Sequence, residues 1–264
     1  MSWGLKNRMN AILPEGKAVM LAIDHGYFLG PIHGLEKPEE TVKELMPYTD
    51  SLFATRGVLA SAIPEDCSKP VLLRVSGGPS IVGRDLANEN LVTPIKEALR
   101  HNALGVGVSI FVGSDYETQT VTNLAHAVTE AHEYGLPVLA ITAVAKELQK
   151  REARFLALAS RIGAEMGADI IKTYYCENFE KVTSTCPVPI VIAGGPKLDT
   201  MKEALEMTYN ALAQGAAGVD MGRNIWQSDY PAAMIQAIHA IVRKNFSVTE
   251  ALELYEDAAG EKSS

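Results

Sequence analysis

One lysine stands at the end of a run that otherwise reads as buried strand, Asp169-Ile170-Ile171-Lys172. Side chains alternate across a strand, so Lys172 shares a face with Ile170. If Ile170 fills the interior of a barrel, the amine projects into the barrel's mouth. A lone buried ammonium is expensive, which favours the neutral amine. That amine is the nucleophile that makes a Schiff base with a ketone. The bland alternative is a lysine whose stem snorkels from a strand end to solvent.

Three further groups of residues sit at the ends of apolar runs. Asp24-His25-Gly26 closes the first run, with Asp24 inward alongside Ala22 and Met20 and His25 opening the loop. Either Asp24 or His25 has the chemistry to move protons. The structural alternative for Asp24 is an ion pair that holds a lysine, Lys172 among the candidates. Gly194-Gly195 and Gly222-Arg223 close the seventh and eighth runs. Glycines there let backbone N–H groups approach an anion, and an arginine adds a charged fork, so both turns are candidates for binding a phosphate. Tight βα turns alone would also use those glycines. Cys176 reads as a small core thiol rather than a nucleophile. His33, His101, His126, His132 and His239 are scattered and form no metal-binding cluster, so no metal is expected.

These residues need a frame. Short apolar runs span Ala18–Ile23, Ser51–Ala54, Val71–Val75, Gly105–Val112, Pro137–Thr142, Asp169–Lys172, Ile190–Ala193 and Gly218–Met221. Most lack polar alternation, as parallel strands covered on both faces do. Between them lie stretches of helical spacing: Thr120–Tyr134, Leu156–Met166, Thr200–Leu212 and Pro231–Val242. Ser247 and Glu250 have capping-box spacing and open a last helix. Alternation of this kind predicts an α/β fold, a (β/α)8 barrel, in one domain over 1–264. Residues 1–17 form a segment before the barrel, and 247–264 a closing helix and tail. An open doubly wound sheet is the alternative, but Asp24-His25-Gly26-Tyr27-Phe28 is not its glycine-rich first turn.

The bulk numbers agree. The chain has 264 residues, close to the size of one such barrel, and 47% of them are apolar. A net charge of −8 argues against a nucleic-acid partner. Met1–Asn10 has no signal-peptide core and no run is long enough for a membrane span, so a cytoplasmic protein without a membrane partner is expected. Three cysteines without a CxxC pair suggest neither a disulfide framework nor a zinc site.

The chain resembles the archaeal-type class I aldolase family, which includes fructose-bisphosphate aldolases and amino-dideoxy-heptulosonate synthases. The likeness runs from Val19-Met20-Leu21-Ala22-Ile23-Asp24-His25-Gly26 through Ile170-Ile171-Lys172-Thr173-Tyr174-Tyr175 to Gly222-Arg223-Asn224-Ile225-Trp226-Gln227. It implies Lys172 as the Schiff-base lysine and Asp24 as an acid–base residue. It also implies a substrate phosphate held by Gly194, Gly195, Gly222 and Arg223. The family's aldolases carry a tyrosine proton donor on strand five in a Trp-x-Tyr-Pro-Arg stretch. Here that stretch reads Ile141-Thr142-Ala143-Val144-Ala145, with alanine in the tyrosine's place. This departure puts fructose-bisphosphate cleavage in doubt and agrees with a thiolase-like branch of the family. That branch implies no bound cofactor, coenzyme A as co-substrate, and a small phosphorylated ketone as substrate. A class I aldolase joining a phosphoketone to an aldehyde is the competing reading, and a non-catalytic sugar-phosphate-binding barrel the remote one. The family also implies a homo-oligomer, up to a decamer.

Overall fold

The computed structural model describes residues 2–143 and 151–263. Eight parallel strands close into a barrel: β1 (Ala18–Ala22), β2 (Ser51–Ala54), β3 (Val71–Arg74), β4 (Gly105–Ile110), β5 (Val138–Thr142), β6 (Ile170–Tyr174), β7 (Ile190–Ala193) and β8 (Gly218–Met221). Each strand pairs with its neighbours in sequence, and β8 closes on β1 with Met20 opposite Asp220. This is the (β/α)8 barrel that the apolar runs predict, and strand bounds differ from the predicted ones by two residues or fewer.

Nearly every strand residue is buried, because one face meets the barrel interior and the other the helices. The outward residues, among them Val19, Leu21, Val106, Val108 and Ile171, join one apolar layer with Leu124, Leu156, Leu205 and Ile238 of the surrounding helices. The helices start where their capping chemistry places them. Thr200 and Glu203 exchange side-chain and backbone hydrogen bonds ahead of Met201–Ala213. Ser247 and Glu250 do the same ahead of Val248–Ser263.

Inward residues fill the barrel in layers drawn from alternate strands, the arrangement that strand tilt imposes. Met20, Leu72, Leu139 and Val191, from the odd-numbered strands, form an apolar plug with Ile12 and Leu13. The chain ahead of β1 therefore serves the barrel directly, since its helix Trp3–Ile12 ends by sealing the barrel floor. Phe53 of β2, Lys172 of β6 and Asp220 of β8 meet in the next layer, with Lys172 Nζ 5.3 Å from the Phe53 ring centre. The floor is closed and apolar, so polar groups gather at the C-terminal mouth.

One feature of the fold is absent from the predicted pattern. After β3 the chain forms a two-residue strand, Ser76–Gly77, loops out, and returns antiparallel through Asn90–Leu91. Gln119 and Asn123, on the helix Glu117–Glu133, donate to the Glu89 carbonyl and pin this ribbon against the barrel rim.

Candidate active site

Lys172, Asp24, His25, Gly194, Gly195, Gly222 and Arg223 all line one cavity of about 260 Å³ at the C-terminal mouth. Ala143 lines it too, whereas Val144 and Ala145 lie outside the described residues. The cavity has two sides of different character.

On the β1–β3 side, Arg74 is the hub. Arg74 is inward by the same alternation that places Leu72 in the plug. Its guanidinium donates to Asp24 Oδ2 at 2.7 Å, to Glu89 at 2.8 and 3.1 Å, to Ser109 Oγ at 2.5 Å and to the Ser76 carbonyl at 3.0 Å. The Tyr27 ring stacks against it at 4.6 Å, and the Tyr27 hydroxyl donates a short hydrogen bond to Glu89. Ser76 Oγ donates to Glu89 and accepts from the Ser109 amide. Burial alone would raise the Asp24 carboxyl, but Arg74, with smaller help from His25 and Lys172, leaves it below its ordinary value. Asp24 is a fixed carboxylate held by Arg74, and it does not hold Lys172. That corrects the ion pair considered from sequence, and the reason is geometric: Asp24 follows β1 and Arg74 ends β3, both odd-numbered strands, whereas Lys172 sits on an even one.

On the β6–β8 side, Lys172 Nζ lies 2.9 Å from Asp220 Oδ2, and both groups are buried. Lys172 is therefore paired with a buried carboxylate, not alone as the sequence suggested. Lys172 is the one close partner of Asp220, for no other group among the described residues donates a hydrogen bond to either Asp220 oxygen. Burial pushes the Asp220 carboxyl up, Lys172 pulls it back, and the charge of Asp24 adds to the rise. Asp220 was legible in principle, as a lone charge in an apolar inward register, Gly218-Val219-Asp220-Met221. Arg74 carried the same signal. Glu89 and Arg151 lie in loops, where no periodicity marks them.

His25 packs edge-on against Trp226 with ring centres 5.4 Å apart. Burial holds its imidazole down at about 4 although Asp24 opposes this, so the ring is neutral near pH 7. Its Nδ1 lies 3.4 Å from Asp24 Oδ1. The carboxylate favours the tautomer with the proton on Nδ1, which leaves Nε2 as the acceptor. Gly222 is required beside it: a Cβ would come within 2.7 Å of both the Ala22 carbonyl and His25 Cε1.

The glycine turns are built as one unit. Asn224 donates to the carbonyls of Gly194 at 2.8 Å and Pro196 at 3.2 Å, and accepts from the Leu198 amide. Gly195 adopts φ 70°, a left-handed conformation that favours glycine. Arg151 stacks on Tyr174 at 4.4 Å and brings Nη2 to 3.1 Å from the place a Gly195 Cβ would occupy. Burial lowers Arg223 from its ordinary value, Tyr174 opposes that, and Arg151 adds to it. Arg223 Nε is buried without a partner. Two cations, an unmet donor and a glycine turn thus converge where an anion would be well received.

The barrel that carries this cavity has relatives in sequence and in structure. Residues 18–228 match the model of the DeoC/LacD family aldolases. The chain belongs to that family. It is 48% identical over 258 residues to the 3-hydroxy-5-phosphonooxypentane-2,4-dione thiolase of Photorhabdus laumondii, covering 97% of this chain and 88% of the relative. The thiolase of the same name from an Enterobacter species is also 48% identical, over 260 residues, with 97% and 87% covered. Among solved structures, an archaeal fructose 1,6-bisphosphate aldolase superposes with a TM-score of 0.83 at 26% identity, covering 90% of this chain and 98% of that one. Another archaeal fructose-1,6-bisphosphate aldolase, with its catalytic lysine covalently bound to the carbinolamine intermediate, gives 0.82 at 26% identity over 90% and 99%. The chain is an enzyme of the class I aldolase family. No helix among the described residues is long and apolar enough to cross a membrane.

Proposed function

We propose that this enzyme transfers the acetyl group of 3-hydroxy-5-phosphonooxypentane-2,4-dione to coenzyme A, giving acetyl-CoA and dihydroxyacetone phosphate. The observation that carries the reading is a single cavity holding the Lys172 amine at one wall and the Gly195–Arg223 anion seat at the next, with Arg151 close behind Gly195. Identity of 48% to thiolases named for that diketone supports the substrate.

In this reading the phosphate rests against Arg223, Arg151 and the backbone of Gly194, Gly195 and Gly222. That places the ketone carbon beside the phosphorylated methylene within reach of Lys172. The two condense to an iminium with loss of water, and the iminium becomes an electron sink. The coenzyme A thiolate attacks the acetyl carbonyl, and the bond between that carbon and the hydroxyl-bearing carbon breaks. Its electron pair moves into an enamine on Lys172. Protonation at carbon and hydrolysis with one water release dihydroxyacetone phosphate. His25, neutral and with an acceptor nitrogen, takes the thiol proton. Asp24, fixed by Arg74, lies 3.4 Å from the imidazole and its charge favours the protonated ring as the proton arrives. Ala143, small where a tyrosine is expected, leaves room for the acyl acceptor. The enzyme works in the cytoplasm as a homo-oligomer, up to a decamer, which mass photometry reads directly.

Incubation with dihydroxyacetone phosphate followed by borohydride should leave a reduced adduct on Lys172, found by peptide mapping. The Lys172→Ala variant should give none and should make acetyl-CoA at least ~10³-fold more slowly. Absence of an adduct on the wild-type chain would sink the Schiff-base reading. Adduct formation without acetyl-CoA from the diketone would instead favour the aldolase reading, which the superposition on fructose-bisphosphate aldolases supports. Aldehyde-dependent consumption of dihydroxyacetone phosphate without coenzyme A would then establish it.

A further inference from the structure

Imine formation needs more than an amine. The amine must lose a proton before it attacks, and the carbonyl oxygen must later leave as water. Asp24, the acidic residue apparent from sequence, is poorly suited to that exchange. It accepts a 2.7 Å hydrogen bond from Arg74, which also grips Glu89 on its other side. A carboxylate so held keeps its charge and gives up no lone pair cheaply.

Asp220 is placed differently. It is inward on β8, 1% exposed, and lies across β7 from Lys172, the two strands contributing to one layer of the barrel. Its Oδ2 is 2.9 Å from Lys172 Nζ, and among the described residues no other group donates a hydrogen bond to either oxygen. The neighbouring guanidinium, Arg74, is committed elsewhere. A buried carboxylate whose one close donor is the reacting amine is well placed to take that amine's proton and to hold it in transit. Burial and the charge of Asp24 both push its carboxyl upward, in keeping with that role.

We propose that Asp220 is a catalytic residue, the carboxylate that takes a proton from the Lys172 ammonium and returns it to the departing hydroxyl as the imine forms. This rests on the Schiff-base reading of Lys172. The steps balance. Lys172 gives one proton to Asp220, and the neutral amine adds to the ketone carbon. A second proton moves from nitrogen to the former carbonyl oxygen, giving a neutral carbinolamine. The Asp220 carboxylic acid protonates that hydroxyl, water leaves with the carbon–oxygen electron pair, and nitrogen keeps one hydrogen in the iminium. Asp220 ends as a carboxylate beside a cation, as it began, and the same steps reversed hydrolyse the product imine.

The test is the rate at which borohydride captures adduct from dihydroxyacetone phosphate in the wild-type chain and in Asp220→Asn, Asp220→Glu and Asp24→Asn. Calorimetry with dihydroxyacetone phosphate accompanies it. Loss of the carboxylate charge alone would favour the neutral amine and speed its attack. Loss of a proton carrier does the opposite. Asp220→Asn should therefore slow capture on the order of 100-fold, the scale of one general acid–base group. Carbinolamine, which borohydride does not reduce, should accumulate in the intact mass. Ligand affinity should stay within about threefold, Asp220→Glu should recover part of the rate, and Asp24→Asn should slow capture far less.

Capture by Asp220→Asn at the wild-type rate or faster overturns the proposal. So does failure of both Asp220 variants to fold, which would assign the residue to the scaffold. Absence of any wild-type adduct is a separate result: it defeats the Schiff-base reading itself, and this proposal falls with it.

Discussion

The two sides of the cavity treat buried polar atoms in opposite ways. Around Arg74, Asp24, Glu89, Ser76, Ser109 and Tyr27 are matched donor to acceptor, and the ring of Tyr27 covers the guanidinium. Around Lys172 the matching fails. Beyond the contact between Lys172 and Asp220, the Asp220 oxygens, Arg223 Nε and His25 Nδ1 are buried without hydrogen-bond partners, and among the described residues only Ser51 and Ser160 share that condition elsewhere. Buried polar groups are normally satisfied, since an orphan costs roughly 1–3 kcal/mol. A cluster of orphans at one wall is what a ligand completes, and a satisfied cluster facing it is what holds that wall's opposite still. The barrel thus separates fixing from reacting within a single cavity.

The comparison predicts its largest effect on stability at Arg74. Arg74→Met keeps the length of the side chain and removes the charge, stranding Asp24 and Glu89 as two buried carboxylates. Breaking a buried ion pair by removing one partner costs about 3–5 kcal/mol. At 2–4 °C per kcal/mol for a chain of this class, the melting temperature should fall by roughly 10 °C. Differential scanning calorimetry checks it. A fall of only a degree or two would mean that the satisfied side is no firmer than the other, and the comparison would fail.

Acid sharpens the contrast next. The His25 imidazole sits at about 4 in the folded chain, lowered chiefly by burial, against about 6.5 when unfolded. Between those values the unfolded chain binds a proton that the folded one does not, so stability falls as pH drops through the window, by on the order of 3 kcal/mol. Asp24 adds a slope of the same sign lower down. Its carboxyl is depressed in the fold, so its contribution is present above about 3.9 and lost as pH falls below it. Urea midpoints at pH 7.5, 5.5 and 4.5 should decline for the wild type and decline less for His25→Asn. Equal slopes for the two would place the acid sensitivity elsewhere.

Arg223 belongs to the unsatisfied side, so its removal should spare the fold and harm binding. One charge-assisted hydrogen bond is worth about 1.5–3 kcal/mol. Arg223→Ala should then raise KM for the phosphorylated ketone ~10- to 100-fold while kcat changes little. Its melting temperature should hold or rise slightly, because an unmet buried donor has gone. Steady-state kinetics beside a melting curve separates the two outcomes, and a large fall in melting temperature would count against the division of labour.

Much of this frame is written in the strands. A barrel strand is covered on both faces, so its sequence is an unbroken apolar run, and a charge inside such a run stands out, as Lys172 does. Arg74 and Asp220 carry the same mark, each two residues from an inward neighbour, Leu72 and Gly218. What the run cannot specify is which charges meet. Asp24 pairs with Arg74 across β2, and Lys172 pairs with Asp220 across β7, because alternate strands share a layer once the barrel has closed. Partner choice is therefore a property of closure, not of spacing. Glu89 is harder still. It reaches Arg74 only because a two-residue ribbon folds back and helix side chains pin it, and neither event leaves a periodic trace.

The smallest expected effect probes the boundary of the cavity. Cys176 follows β6 by two residues, close to Lys172 in sequence, and reads there as a small core thiol rather than a second nucleophile. It is buried in the layer between barrel and helices, packed with the apolar side chains there and not among the cavity-lining residues. Burial, then Glu180 and Glu177, push its thiol up to about 11, so it stays protonated and unreactive near neutrality. Cys176→Ala should leave kcat/KM within about twofold and cost about 1 kcal/mol for the small void. Iodoacetamide at pH 7.5 should not label it in the folded chain. A tenfold loss of activity would put another buried polar group in the reacting half, and the line drawn between the two sides would have to move outward past β6.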